Sequence, residues 1–163
     1  MYQHIVVTTD GTDIDHAAVR HAAGLSRALN ATLTLLHIIP DAHRELSSGT
    51  DLSVTAEQTE RDWALQGEAA LHDGELDAGD LRLVTVQRPA LGLDVPHAIL
   101  REAAALDADL IVMATHGRTG LAHLILGSVA ERVVHGAGVP VLLVHQAPTP
   151  CRRPQATGPG PGC

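Results

Sequence analysis

The sequence is expected to fold as an α/β domain: a doubly wound, Rossmann-like, five-stranded and mostly parallel sheet with helices on both faces. Two observations predict it. Five short runs of Val, Ile and Leu are apolar on both faces, as strands buried inside a parallel sheet must be, and segments of helical period alternate with them. The length of 163 residues makes one ordinary domain. The core palette is aliphatic, because 45% of the chain is hydrophobic while Phe is absent and Trp and Tyr occur once each.

Taken in order, Ile5 to Thr9 is a β-branched strand ending at the turn residues Asp10 and Gly11, with Asp13 placed to cap the next helix. Ile14, Ala17, Ala18, His21, Ala22, Leu25 and Leu29 then recur at helical spacing and predict one apolar face ending near Asn30, on which His21 is a packed histidine. Thr32 to Ile39 is a second buried strand closed by Pro40, and the polar residues Asp41 to Thr50 are loop. Ser53 to about Leu71, containing Trp63, is compatible with a helix, and Leu81 to Gln87 is a third strand. Asp94-Val95-Pro96 opens the next helix, with proline in the first turn where no amide donor is missed, and Ile99, Leu100, Ala103 and Leu106 form its buried stripe. Leu110 to Ala114 is the fourth strand. A loop with two glycines, Thr115 to Gly120, leads toward a helix over Ser128 to His135 ended by Gly136, and Val141 to Val144 is the fifth strand. Residues 1–146 thus make the domain, whereas 147–163 hold five of the nine prolines and three glycines and are expected to be a disordered tail.

Composition excludes several functions. All 11 basic residues are Arg, so a Walker phosphate loop, a Schiff-base lysine and a kinase-type lysine are ruled out. A net charge of -8 disfavours polyanionic partners, and two aromatic residues offer no stacking platform, so no nucleic acid is expected. No apolar run reaches the roughly 18 residues of a membrane span, and the start lacks a secretory signal, which predicts a soluble, cytoplasmic protein without a membrane partner. Cys151 and Cys163 fall in the tail, away from any fold that would make them a disulfide or a nucleophile. The 11 histidines form no His-x-His or His-x-x-x-His pair, so no metal site is expected.

In open parallel sheets ligands bind beyond the carboxyl ends of the strands, near the point where strand order reverses. The ends to weigh are Thr9-Asp10, Ile38-Ile39 and Ala114 to Gly120. Amides around those glycines and at the helix opened by Gly127-Ser128 suit phosphate oxygens, helped by the helix dipole. The simpler alternative makes Gly117, Gly120 and Gly127 turn residues and Ser128 a cap. Asp10 can accept from a ribose hydroxyl or an adenine amine, or cap its own turn, and Arg118 is either a phosphate clamp or a solvated arginine.

Ala114-Thr115-His116-Gly117, nine intervening residues and Gly127-Ser128 resemble the nucleotide-binding signature of the universal stress protein family, Gly-x-x-Gly, nine residues, Gly-Ser/Thr. Ile5 to Gly11, Leu35-Leu36-His37-Ile38, Asp109 to Met113 and Val139 to Val144 match in order, so the resemblance covers residues 1 to about 146. It implies a cytoplasmic homodimer with a regulatory role in stress response, paired through the Val141–Val144 strand, which in the ATP-binding branch holds ATP with Mg²⁺. Asp10 and Ile38 would then hold the adenosine part. Met113, Ala114, His116, Gly117, Gly127, Ser128 and Val129 would surround the ribose and phosphates, with Arg118 beside them. Ala114 departs from the signature's first glycine, and Thr8 from the proline common before the aspartate. No nucleophile elbow or zinc pair is present, and the Ser-Gly-Gly loop of ATP pyrophosphatases is replaced by Thr9-Asp10-Gly11-Thr12, so at most slow ATP hydrolysis is expected. The alternatives are an ATP-using hydrolase or ligase on a related fold and a dimeric stress protein that binds no nucleotide.

Overall fold

The computed structural model describes residues 2–10, 12–42, 56–78, 81–115 and 127–145. His116, Gly117 and Arg118, the residues 53–55 expected to start a helix, and the expected tail 147–163 lie outside the described residues. Among the described residues, helices and strands alternate: β1 (His4–Thr8), α1 (Asp13–Leu29), β2 (Thr32–Ile39), α2 (Ala56–Ala78), β3 (Leu83–Pro89), α3 (Val95–Ala105), β4 (Leu110–Ala114), α4 (Ser128–Gly136) and β5 (Val141–Val144). The strands form one parallel sheet in the order β3-β2-β1-β4-β5. This confirms the doubly wound α/β architecture. The chain winds outward from β1 through β2 to β3, then returns to the other side of β1, so the order reverses between β1 and β4.

Strand alternation builds two cores. Ile5, Val7, Leu33, Leu35, Leu110 and Val112 pack against α1 and α2, while Val6, Leu36, Ile38, Ile111 and Met113 pack against α3 and α4. Each central strand is therefore apolar on both faces, which is why their sequence runs are continuous rather than alternating.

The buried stripe of α1 differs from the expected one by a rotation of its phase. Asp15, Ala18, Val19, Ala22, Ala23 and Ser26 are buried, whereas His21 is exposed. The inward stripe begins and ends on polar residues because both find backbone partners: the Ser26 hydroxyl donates to the Ala31 carbonyl at 2.6 Å, and Asp15 accepts from the β1–α1 turn. An unpaired imidazole has no such compensation inside, and His21 faces water. The N-cap is Thr12 rather than Asp13, and Asn30 closes the helix in the left-handed region at φ 53, a conformation that asparagine tolerates.

Helix α2 runs to Ala78, about two turns past the expected end at Leu71. Its buried seam is Gly67, Ala70, Leu71, Gly74 and Ala78, mostly residues too small to register as an apolar stripe but suited to close approach. A Cβ on Gly74 would stand 2.9 Å from Leu35 Cδ1. Strand β3 is likewise displaced by two residues, from 81–87 to Leu83–Pro89, so that it pairs with β2 from Leu33↔Leu83 to Ile39↔Pro89. It is an edge strand, where Pro89 costs no ladder bond on its solvent side. Helix α3 starts as expected: the Asp94 side chain accepts the His97 amide at 3.1 Å.

Candidate functional site

The carboxyl edge between β1 and β4 collects the described members of the expected site. Asp10 stands two residues beyond β1 and is exposed. The Thr9 amide donates to the Leu36 carbonyl at 3.0 Å, which extends the β1–β2 ladder to the last residue before Asp10. Asp10 Oδ1 accepts the Thr12 amide at 3.0 Å, so the capping role open to this aspartate is realised in the turn itself.

Ile38, Met113 and Ala114 are buried at the ends of β2 and β4. Ile38 and Met113 point into the α3–α4 core, while Ala114 belongs to the opposite core with Val7 and Ala18. Its methyl group is thus a packing element under α1. After β4, the Thr115 amide donates to the Val144 carbonyl at 3.0 Å, and the Thr115 hydroxyl meets His145 Nδ1 at 3.1 Å.

The β4–α4 connection delivers the start of α4 to the same edge. Gly127 is its N-cap at φ -59 and ψ 144, and no described side chain caps it. Ser128 is therefore the first helical residue, not a cap, and it is exposed, while Val129 is half-buried. The first amide to bond back is that of Glu131, to the Gly127 carbonyl at 2.9 Å. The amides of Ser128, Val129 and Ala130 precede that bond and carry the positive end of the helix dipole.

Two titratable side chains behind Asp10 escape a reading of sequence pattern alone. Asp15, in the first turn of α1, is only 6% exposed. Its Oδ2 accepts the Asp10 amide at 2.5 Å and the Thr9 hydroxyl at 3.3 Å. Burial, reinforced by the neighbouring Asp10 carboxyl, pushes the Asp15 carboxyl up to about 7, against the lowering effect of the Asp10 amide and the Thr9 hydroxyl. His37, at the end of β2, is buried with Nδ1 2.9 Å from the Thr9 carbonyl. A carbonyl only accepts, so Nδ1 carries the proton, and Nε2 is buried with no hydrogen-bond partner among the described residues. The one sequence signal for Asp15 is its place at i−3 and i−4 from Ala18 and Val19. Rotating the helical stripe onto the buried phase puts a carboxylate inside.

A family model described as "Universal stress protein family" matches residues 1–145. The chain belongs to that family. Among curated universal stress proteins, MJ0531 of Methanocaldococcus jannaschii is 31% identical over 153 residues, which cover 88% of this chain and 82% of the relative. Solved universal stress proteins share the fold. A structure described as a complex with cAMP superposes with a TM-score of 0.66 at 24% identity, covering 90% of this chain and 99% of the other. Another, from Archaeoglobus fulgidus in complex with dAMP, gives a TM-score of 0.64 at 22% identity, covering 87% and 97%.

Proposed function

We propose that this universal stress protein binds an adenine nucleotide, ATP with Mg²⁺, across the carboxyl ends of β1 and β4, and acts as a regulatory protein whose occupancy is the signal. The observation that carries this reading is the convergence on the strand-order reversal of an exposed carboxylate, Asp10, and a helix start with glycine, Gly127, at its N-cap. The carboxylate suits a ribose hydroxyl or an adenine amine, and the amides of Ser128 and Val129 suit phosphate oxygens. The relatives solved with cAMP and dAMP support a nucleotide of this class. Ile38 and Met113 are buried apolar groups one residue before the ends of β2 and β4, and Ala114 would contribute through its backbone. His116, Gly117 and Arg118 complete the proposal from outside the described residues.

Among the described residues no group of three or more His, Cys, Asp or Glu could hold a metal ion. In this reading Mg²⁺ would be carried in on phosphate oxygens, keeping several of its waters. Bound there, the ion would offset repulsion among the phosphates. The chain contains no lysine to stabilise a transferring phosphoryl group, so slow hydrolysis or none is the expected behaviour. No described helix is long and apolar enough to cross a membrane, and a cytoplasmic location is part of the same proposal.

Calorimetric titration with ATP and Mg²⁺ tests the reading. Saturable binding is expected, and Gly127→Val should abolish it by setting a β-branched side chain where phosphate must approach. Unchanged affinity in that variant would remove the helix start from the site. Magnesium-dependent phosphate release at roughly 1 to 1000 per second, the range of ordinary enzymes, would replace the regulatory reading with a hydrolase.

A further inference from the structure

The dipeptide Thr9-Asp10 is held from two sides by buried titratable groups. Asp15 Oδ2 accepts the Asp10 amide and the Thr9 hydroxyl, and His37 Nδ1 donates to the Thr9 carbonyl. We propose that Asp15 is the positioning residue of the nucleotide site: ionised, it fixes the backbone that presents Asp10 to the ligand, and protonated, it turns its own O–H onto the Asp10 carboxylate and competes with the ligand there. The inference rests on the reading of Asp10 as a nucleotide contact.

The geometry supplies both states. In the ionised state Oδ2 takes two donors from consecutive residues, which leaves the turn little freedom. In the protonated state the acceptor beside Asp15 is the Asp10 carboxyl, which lies within hydrogen-bonding reach of it. One oxygen of Asp10 is already committed to the Thr12 amide, so a proton arriving from Asp15 competes directly with a ribose hydroxyl or adenine amine for this carboxylate. The carboxyl group of Asp15 titrates near neutrality, where a modest change of pH moves it between states.

The groups facing Asp15 explain why, among the described residues, no cation is fixed beside it. From its own turn comes Asp10. From α1 comes His16, which is paired with Asp77 of α2, as is Arg20. From α2 comes Asp73, which together with Thr9, Thr12, Asp15 and His16 lines a cavity of about 10 Å³ between the two helices, room for about one water. From β2 comes His37, which reaches the same dipeptide through the Thr9 carbonyl. His16 and Arg20 are thus engaged by Asp77, and the near neighbours of Asp15 are two more carboxyl groups.

Two readouts on the full-length protein and the isosteric variant Asp15→Asn, which keeps an acceptor for the Asp10 amide but cannot ionise, provide the test. The backbone amide resonances of Thr9 and Asp10, monitored from about pH 5.5 to about pH 8.5, should titrate with a midpoint near 7 in the wild type and stay flat in Asp15→Asn. Thr9→Val, which removes a donor to the ionised form, should move the midpoint upward, and this variant tests the idea even if Asp15→Asn does not fold. The second readout is the ratio of ATP affinities of wild type and Asp15→Asn, in which the titration of ATP itself cancels. It should be near one at the acid end and rise by at least about tenfold toward the alkaline end, as expected for one linked proton. Amides that titrate identically in both proteins, or an affinity ratio independent of pH, would overturn the inference. Absence of ATP binding at every pH with the amide titration intact would instead overturn the nucleotide reading and leave the proton-dependent turn standing.

Discussion

Gly67 of α2 lies against the ring of His37: a Cβ at that position would stand 2.6 Å from Nε2, closer than any real contact, and would also overlap the Gln87 amide. The ring cannot easily retreat, because its Nδ1 is held by the Thr9 carbonyl. Gln87 is tied as well, donating to the Ala64 carbonyl at 2.7 Å. Glycine at this point lets α2 close over the end of β2.

Gly67→Ala should therefore destabilise the fold by about 1 to 3 kcal/mol through overpacking, although alanine in a helix interior ordinarily gains up to about 1 kcal/mol over glycine. Gly24→Ala in α1 is the matched control. That residue is exposed and nothing among the described residues lies within 4 Å of its Cβ position, so a gain of about 0.5 to 1 kcal/mol is expected. Urea unfolding with constant slope measures both, and a stabilised Gly67→Ala would show that the α2 seam yields.

Asp94 joins two helices. It caps α3 through the His97 amide and accepts from Arg132 of α4 at 2.5 Å. Burial alone would raise its carboxyl, but the His97 amide and ring and the Arg132 guanidinium outweigh it and hold the group well below the usual carboxylate range. Asp94→Ala should cost about 1 to 2 kcal/mol as a lost cap. Asp94→Asn should cost less than about 1 kcal/mol, because asparagine still caps and the ion pair with Arg132 is half-exposed. A depressed carboxyl stabilises above its unfolded value near 4 and loses that contribution as pH falls through its folded one. The difference between wild type and Asp94→Asn should accordingly stay level from about pH 5 to about pH 8 and shrink only in acid.

Asp15 predicts the opposite slope. Its folded value near 7 lies above the unfolded 3.8, so the folded state holds the proton more tightly between the two. Stability is fully present below the unfolded value and falls as pH rises through that window, by up to about 1.4 kcal/mol per pH unit, levelling off above 7. Asp15→Asn should flatten that part of the profile in chemical denaturation measured at successive pH values. A wild-type profile that rises over the same window, with the variant parallel to it, would show Asp15 to be ionised throughout.

The contrast between these two aspartates marks what the sequence made legible. Asp94 stands directly before Val95-Pro96 at a helix start, a local signal, and the reading of it as the opening of α3 holds. Asp15 is visible only once the buried phase of α1 is known, because its partners are backbone groups of the preceding turn and a helical stripe of apolar residues passes it by. The strands were legible from their two-sided apolar runs, since Val6, Leu36 and Ile111 on one face and Val7, Leu35 and Val112 on the other are all buried. The last two turns of α2, beyond Leu71, were not, because Gly74 and Ala78 pack by smallness rather than by hydrophobicity. His37 sat inside a matching strand segment, yet nothing local distinguishes a buried imidazole from an exposed one.

Pairing of two copies along β5 is the remaining expectation, and the ladder itself chooses the probe. β5 pairs only with β4 among the described residues, and its four residues are half-buried. The carbonyls of Pro140 and Val144 accept from Ile111 of β4 and from Thr115 just after it. Residues 140, 142 and 144 therefore turn their backbone groups inward, and in a parallel ladder the amides of Val141 and Leu143 face the open side. Proline at 142 would break the sheet of a single copy, whereas Leu143→Pro removes an outward donor and is compatible with an edge strand. The proposed homodimer should sediment as a dimer in the wild type and as a monomer in Leu143→Pro, with the far-ultraviolet circular dichroism of the folded domain retained. A dimer that survives Leu143→Pro with unchanged affinity would place the interface elsewhere, and β5 would then need another cover for its apolar edge.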